Sequence, residues 1–561
     1  VHQVLTHILD HSIVTAPSVA ADETAPRHEA ELRSQHTGMQ PAHMLAALRD
    51  LDRTLFAITE HRRTVLSDRA PRSLNHLAGV IPAVSPEHLG SSTFREAHGL
   101  RYAYVTGAMA GGIASVDLVV SMGKAGFMGF FGAGAVGLPQ IEAAIRDIKT
   151  ALSDGQPWGM NLLHNYYDPK VEWATVELYL AHGVRRVEAA AFVALTAPLV
   201  YYRVKGIRRR DDGSIEIPNH VFAKVSRSEV AAQFLAPPPE HLLRELVEAG
   251  KLTADEARLA AEIPMASAMT CEADSGGHTD RRPLSVLLPL MLQEREHAME
   301  RYDYRARGIE IHLGAAGGIG EPVSAHAAFS LGADYLVTGS INQACRQAGI
   351  ADSVKVLLAD ADMADVTTCP ASDMFEMGGR VQVLRRGTMY PQRAQRLYDL
   401  YKLYPSFEEI PAAERKKVET QILKRPFADI WRDTESYWAQ RDPAEAERGR
   451  TDGKHRMALC FRWYLGMSSR WARTGDADRR ADYQIWCGPA VGGLNRWTRG
   501  TYLARPENRD APTLAHAILT GAAVVQRREL AARAHVGHLP TVVAVTRPSQ
   551  TWPVPAPAER V

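Results

Sequence analysis

Short apolar runs alternate with longer amphipathic stretches through the middle of this chain. The runs are YAYVTGAMA (102–110), GFMGFFGAG (126–134), WGMNLLHN (158–165), VRRVEAAAF (184–192), HVFAKVS (220–226), SAMTCEADSGGH (267–278), IEIHLGAAGGIG (309–320) and ADYLVTGS (333–340). Most close on glycine or polar residues. Stretches such as ASVDLVVSMGKA, LPQIEAAIRDIKTAL, WATVELYLAHG and EPVSAHAAFSLG follow them with apolar residues at helical spacing. Runs this short and apolar, separated by helix-length segments, predict buried parallel strands, because parallel neighbours need a crossover connection. Eight such units between residues 100 and 345 predict an α/β fold, the closed (β/α)8 TIM barrel.

The flanks differ. Residues 1–99 are polar and irregular. Within them MLAALRDLDRTLFAITEHRR (44–63) has the spacing of one amphipathic helix, and LAGVIPAVSPEHLGSSTF reads as a loop. The barrel pattern (100–236 and 265–400) is interrupted twice. YYRVKGIRRRDDGSIEIPNH (201–220) predicts a hairpin or loop with a DDG turn. Residues 237–264 predict an inserted helical hairpin, broken from the barrel by PPP, with TADEA as a helix start. Such insertions usually shape access to a site. Residues 401–540 predict a helical C-terminal extension holding Trp431, Trp438, Trp463, Trp471, Trp486 and Trp497, expected to pack as core. The Pro-rich tail 541–561 is expected to be disordered.

Composition narrows the function. The 561 residues carry 65 Lys plus Arg against 64 Asp plus Glu, a net charge of +1. That excludes binding to nucleic acid or anionic membranes driven by bulk charge. No stretch approaches 18 uncharged apolar residues, so no membrane span is expected. Five scattered cysteines lack metal-ligand spacing and predict neither a disulfide framework nor a zinc site. The first residue is Val, so the true start is expected upstream; the opening VHQVLTHILDHSIV does not read as a secretory signal. A reducing, cytoplasmic setting is the expectation.

Two glycine motifs, GAGAVG and GAAGGIG, admit three accounts. GAGAVG (132–137) fits GxGxxG after a strand, but the next strand ends in Asn161 and His164 rather than the acidic residue a dinucleotide fold needs. It reads instead as a glycine-rich turn. GAAGGIG (314–320), with Tyr398 and Lys402 as a YxxxK, imitates a short-chain dehydrogenase, yet sits too late in the chain. The barrel gives a third account. The loops after its last two strands often form a phosphate site, and Gly317, Gly318, Gly339 and Ser340 would aim backbone N–H groups at one dianion. Ala108, Met109, Gly276 and Gly277 at strand ends leave room for a flat ring. Asn161 can pair with a donor–acceptor ring edge. Lys224 could place positive charge near a ring carbonyl, or pair with Glu188 or Glu272. Together these suit a flavin mononucleotide. His278, after two glycines at a strand end, is the candidate catalytic acid, or else a group that only orients flavin or substrate. Asp274 and Asp280 could set its tautomer, and Cys271 reads as core.

The segments AMAGGIAS, GMNLLHN, AKVSRSEVAAQF, EADSGGHTD, GAAGGIG and VTGSINQAC resemble the nitronate monooxygenase and FabK-type flavin barrel superfamily. EADSGGHTDRRP, CFRWYLGMSSRWA and DYQIWCGPAVGGLNRW resemble its PfaD branch, the trans-acting enoyl reductases of polyunsaturated fatty acid and trans-acyltransferase polyketide synthases. The resemblance runs from about residue 80 to about residue 500. It implies FMN as cofactor, NADPH as hydride source, and an α,β-unsaturated thioester on an acyl carrier protein as substrate and partner. It implies that Gly276, Gly277, Gly317, Gly318, Gly339 and Ser340 hold the flavin, Asn161 its ring edge, and that His278 lies on the flavin and substrate side. KGIRRR (205–210) and Arg281–Arg282 are candidate basic docking residues for an acidic carrier. A homodimer is compatible with the sequence, which leaves the oligomeric state open. The alternatives are a nitronate monooxygenase-type flavin oxidase and a scaffold that has lost its flavin.

Overall fold

The computed structural model describes residues 39, 41–60, 63–165 and 169–539. The expectations for the opening segment and for the tail at 541–561 lie outside these residues. The chain forms two compact units, one drawn from 1–89 and 517–547, the other containing 90–516.

The larger unit is built on eight parallel strands that close into a barrel in chain order. They are β1 (Tyr104–Thr106), β2 (Met128–Phe131), β3 (Gly159–Leu163), β4 (Arg186–Ala190), β5 (His220–Val225), β6 (Ala268–Glu272), β7 (His312–Ala316) and β8 (Tyr335–Thr338). The predicted barrel is thus the observed one. Inside it lie Val105, Met128, Phe130, Phe222, Ala316 and Tyr335, all buried. Each of the large side chains contributes about 1.5–3 kcal/mol by leaving water. Helix Ser92–His98 closes the N-terminal end, where Phe94 stacks flat on Tyr335 with ring centroids 4.2 Å apart. Local rules set the helix starts. Ser115 accepts the Leu118 N–H, and the TADEA start is a capping box, with Thr253 accepting the Glu256 N–H at 3.1 Å and Glu256 the Thr253 N–H at 2.8 Å.

The inserted helices, Glu240–Glu248 and Ala254–Ala260, are present but are not at the barrel mouth. They follow helix Ser228–Leu235 and run into the N-terminal end of β6, with the Met265 N–H bonded to the Ala236 carbonyl. Glu256 also accepts the Gly206 N–H at 2.7 Å. The insertion therefore braces the closed end and does not shape access. The Arg208–Arg209 and Ile215–Glu216 hairpin, with Gly213 at φ 85°, leads into the N-terminal end of β5.

Past β8 comes a sheet that periodicity did not predict. Val366–Pro370 pairs antiparallel with Arg380–Leu384, which also pairs with Gly277–His278 from the loop after β6. This sheet and the helices Tyr390–Leu403, Phe427–Arg441 and Gly453–Thr474 share one core containing Phe375, Val383, Leu397, Phe461 and Tyr464. Trp431, Trp463, Trp471 and Trp486 pack with it, as expected of the Trp-rich extension.

In the smaller unit, the single helix expected over 44–63 is instead helix Pro41–Arg49 followed by strand Leu55–Glu60. That strand is central in a three-stranded antiparallel sheet with Arg63–Ser67 and Leu77–Ile81, the latter inside the segment expected to be a loop. Met44, Leu48, Leu55 and Ala57 all enter one small core, so their spacing served two elements in succession. LFAITE is rich in strand formers, and the polar DLDRT ends the helix before it.

Candidate active site

In a parallel barrel every strand ends on the same face, and here that face collects the chemistry. Asn161 is opposite Glu188 across β3 and β4, Phe222 is opposite Glu188 across β4 and β5, and Lys224 is opposite Thr270 across β5 and β6. Glu188, Lys224 and Glu272 meet at the mouth. Lys224 Nζ lies 3.0 Å from Glu272 Oε1, and Glu188 accepts the Ala108 N–H at 2.9 Å. Burial opposes the charge on Lys224, but Glu272 and Glu188 outweigh it and raise its affinity for the proton above the ordinary lysine value. Burial raises the Glu188 carboxyl above the carboxylate range against the pull of Lys224 and the Ala108 N–H. The lysine is therefore the permanent cation of the mouth; of the two pairings that the sequence allowed for it, the ion pair is made with Glu272, and Glu188 acts on it through its charge alone.

Asn161 is buried, and its Nδ2 donates to the Glu188 carbonyl at 3.1 Å. Its backbone carbonyl accepts the Tyr179 hydroxyl at 2.7 Å. Met109 packs its carbonyl against the β2 loop, where a Cβ on Gly132 would lie 1.7 Å from it. Gly132 is glycine because two backbones touch there. The GAGAVG motif is thus a packing turn of a closed barrel, and the open-sheet dinucleotide fold is excluded.

The glycines of the last loops divide into two groups. Gly318 and Gly339 each lie two residues beyond the paired Ala316 and Val337, at the ends of neighbouring strands. A Cβ on either would enter open space, with no atom within 4 Å. Among the described residues neither amide donates to a protein acceptor. Gly317, at φ 91°, instead packs on the Ala273 carbonyl, with a Cβ there only 2.7 Å from its carbon. Gly276 packs on the Cys487 backbone, where an added Cβ would lie 2.8 Å away, and Gly277, at φ 82°, lies under Trp486. Ser340 accepts the Gly488 N–H at 2.9 Å. The cradle a Cβ would fill is thus at Gly318 and Gly339, and its open, amide-lined form fits a phosphate.

His278 is in the two-residue strand after β6, and its Nε2 lies 2.9 Å from Asp373 Oδ1. Burial lowers the histidine's proton affinity, but the Asp373 bond and charge and the Glu272 charge outweigh it and raise it above its ordinary value. Burial likewise raises Asp373, and His278 more than reverses this. Asp274 and Asp280, the tautomer-setting candidates, are engaged elsewhere. Asp274 accepts from Gln382 at 2.9 Å, and Asp280 binds Arg227 and Ser226. Cys271 is fully buried in β6.

Sequence reasoning missed Asp373, Gln382, Gln343 and Trp486. Gln382 also donates to the Ser275 carbonyl at 2.8 Å, and Gln343 donates to the Trp486 carbonyl. Trp486 lay in a segment marked only for its resemblance. Asp373 carries no periodicity signal, since only the unforeseen sheet brings it to His278. The basic candidates separate: Arg208 and Arg210 pair with Glu216 and Arg209 with Glu262, at the closed end. Arg281 and Arg282 follow β6, at the mouth end.

A family model described as nitronate monooxygenase matches residues 93–386 of the chain. A second, described as [acyl-carrier-protein] S-malonyltransferase, inserted helical domain, matches residues 404–483. Polyketide biosynthesis protein PksE of Bacillus subtilis is 42% identical over 465 residues, covering 82% of this chain and 60% of the relative. One of the polyunsaturated fatty acid synthase polypeptides of Thraustochytrium sp. is 44% identical over 444 residues, covering 78% of this chain and 30% of the relative. The chain therefore spans less than two thirds of the length of these relatives. Among solved structures, the enoyl reductase domain of MlnA from the macrolactin biosynthesis cluster of Bacillus amyloliquefaciens is 35% identical, with a TM-score of 0.76 over 79% of this chain and 99% of that domain.

Proposed function

The chain belongs to the nitronate monooxygenase family, in its PfaD-like branch of enoyl reductases, and on that basis we propose that it reduces the α,β-double bond of enoyl thioesters carried on an acyl carrier protein, with NADPH as reductant and FMN as bound cofactor, in polyketide or polyunsaturated fatty acid synthesis. The observation that carries this reading is the likeness to the MlnA enoyl reductase domain over nearly all of that domain. The mouth described above supports it.

Bound FMN would supply hydride transfer from NADPH to the β-carbon of the enoyl group. The chain's residues do the rest. The amides of Gly318 and Gly339 would hold the phosphate, with Ser340 and Gly317 shaping the loops beside it. Ala108, Met109 and Asn161 would border the ring, and Lys224 would set a fixed positive charge at its carbonyl edge. Gly276 and Gly277 carry His278 to the mouth. Reduction at the β-carbon leaves negative charge on the thioester oxygen and α-carbon, so an acid must deliver a proton to the α-carbon. His278 is placed to give that proton. Arg281 and Arg282 are the basic residues left at the mouth end for a carrier protein. Five buried, unpaired cysteines suit a reducing cytoplasm. Among the described residues no helix is long and apolar enough to cross a membrane.

The test is spectroscopic. The purified protein should absorb near the flavin band, bleach with NADPH under anaerobic conditions, and recover on addition of crotonyl thioester. Bleaching of the oxidised flavin by a nitronate in place of NADPH, with recovery on admitting oxygen and none with the thioester, would favour the flavin oxidase of the same family. His278→Ala should keep the bleaching and lose thioester-driven recovery by about 10²–10⁴-fold.

A further inference from the structure

One route by which the helical extension reaches the chemistry is a loop. Residues 371–379 join the two long strands of the antiparallel sheet, and the third strand of that sheet is Gly277–His278 itself. Histidine and loop are thus set by one hydrogen-bonded ladder, with His278 opposite Val381. The loop is tied to itself by the Ala371 N–H to the Gly379 carbonyl and the Gly379 N–H to the Met374 carbonyl, both 2.9 Å. It is tied to the extension by Arg462 of helix Gly453–Thr474. Arg462 Nε donates to the Ser372 carbonyl at 3.0 Å and Nη1 to Glu376 at 3.2 Å. Phe375 is buried between them, its ring 5.1 Å from Tyr401 and 6.5 Å from Phe461. Asp373 is therefore held between two anchored neighbours, with its carboxylate 2.9 Å from His278 Nε2.

We propose, resting on the reductase reading above, that Asp373 is the positioning residue of His278: it takes the Nε2 proton as a hydrogen bond, fixes the ring, and leaves Nδ1 to carry the proton delivered to the α-carbon. The helical extension is then part of the catalytic apparatus, because Arg462 holds the Asp373 loop. In the proton-transfer step the Nδ1–H bond breaks and a Cα–H bond forms. The enolate becomes the neutral saturated thioester, the imidazolium becomes imidazole, and solvent returns the proton.

The other groups around His278 do not offer the same service. Glu272 is bonded to Lys224 at 3.0 Å and to Ser275 at 3.3 Å. Lys224 repels a proton on the ring, and Trp486 presents a neutral edge with centroids 6.4 Å apart. Only Asp373 hydrogen-bonds the imidazole among the described residues.

Ring-nitrogen NMR on the full-length flavin-loaded protein, labelled at histidine, tests this, with His278→Gln assigning the resonance. In wild type the neutral ring should carry its proton on Nε2, and the ring should take up the second, on Nδ1, with a midpoint at least about one pH unit above that of Asp373→Asn. Asp373→Glu should restore most of the difference, and Arg462→Met should show a smaller shift in the same direction. Thioester-driven flavin reoxidation should fall about 10–100-fold in Asp373→Asn, with its optimum moved to lower pH, while the NADPH-driven bleaching rate changes less than about twofold. An unchanged midpoint and tautomer in Asp373→Asn overturns the proposal. Should no enoyl thioester be turned over by wild type, the reductase reading fails, and the titration still decides whether Asp373 sets the ring.

Discussion

Replacing Gly339 by alanine separates a ligand cradle from a structural turn. The backbone there has φ −130° and ψ −74°, clear of the left-handed region though outside the common helix and strand regions, and the space in front of it is open. Without ligand, Gly339→Ala should change stability by less than about 1 kcal/mol, because the freedom alanine spares on folding is offset by its less favoured backbone angles. With FMN the same methyl occupies the phosphate's place, and crowding a formed site costs about 1–3 kcal/mol. That is about a 5- to 150-fold weaker Kd. Gly318 differs in one respect: at φ 72° an alanine costs about 1–2 kcal/mol in the free protein as well. Gly318→Ala should therefore lower both stability and flavin affinity. Gly99, at φ 68° on the helix at the closed end, also faces open space and is the control: Gly99→Ala should lower stability and leave affinity alone. The assay is flavin fluorescence quenching for Kd and urea midpoints of the apoprotein for stability. Wild-type affinity in Gly339→Ala would refute the cradle, whatever the other variants do.

Two further outcomes follow from buried charge. Lys224→Met strands Glu188 and Glu272 together and should destabilise the fold by about 3–5 kcal/mol, with Glu272→Gln on top recovering part of it; additive effects in that urea-denaturation cycle would mean the pair is not coupled. At the closed end, burial foremost, with neighbouring charges, lowers His98 to about 2 and His220 to about 3, so both stay neutral in the fold and take protons only on unfolding. Their contribution is full above the unfolded value of about 6.5 and is lost as pH falls toward 3, by about 1.4 kcal/mol each at pH 5.5. His98→Phe should flatten the fall in urea midpoint between pH 8 and 5.5, and an unchanged slope would show that this histidine does not report on acid lability.

What could be read in the chain was what repeats. The eight strands announced themselves because each is an apolar run cut off by glycine or a polar residue, and Lys224 and His278 stood out as charged or titratable residues at the ends of such runs. The antiparallel sheet gave no such signal. VTTCP and RVQVL are five residues each and alternate weakly, and their third partner is only two residues long. Asp373 was invisible for the same reason: its role depends on pairing between residues about a hundred positions apart. In the smaller unit the apolar positions of 44–63 satisfied a helix and then a strand, and spacing alone could not locate the change at Asp50 to Thr54.

The glycines carry the last step. SGG (275–277) and CGP (487–489) looked like two separate family marks, yet in the fold they are one contact. A Cβ on Gly276 would lie 2.8 Å from the Cys487 backbone, and one on Gly488 would lie 2.8 Å from the Gly276 nitrogen. A third contact repeats the pattern, with a Cβ on Gly320 reaching 2.1 Å from the Ala490 carbonyl. Segment 486–490 thus lies directly on the loops after β6 and β7, and Gly488 also donates to Ser340 after β8. Three barrel loops are fixed by a segment of the extension that follows helix Gly453–Thr474. Barrel loops are ordinarily free to vary because little packs on them. Here backbone is pressed on backbone, a contact that only glycine permits, and the same loops present Gly318, Gly339 and His278. The extension therefore does mechanical work for the mouth: it immobilises the loops whose amides would grip a phosphate and, through Arg462, the loop that holds the histidine.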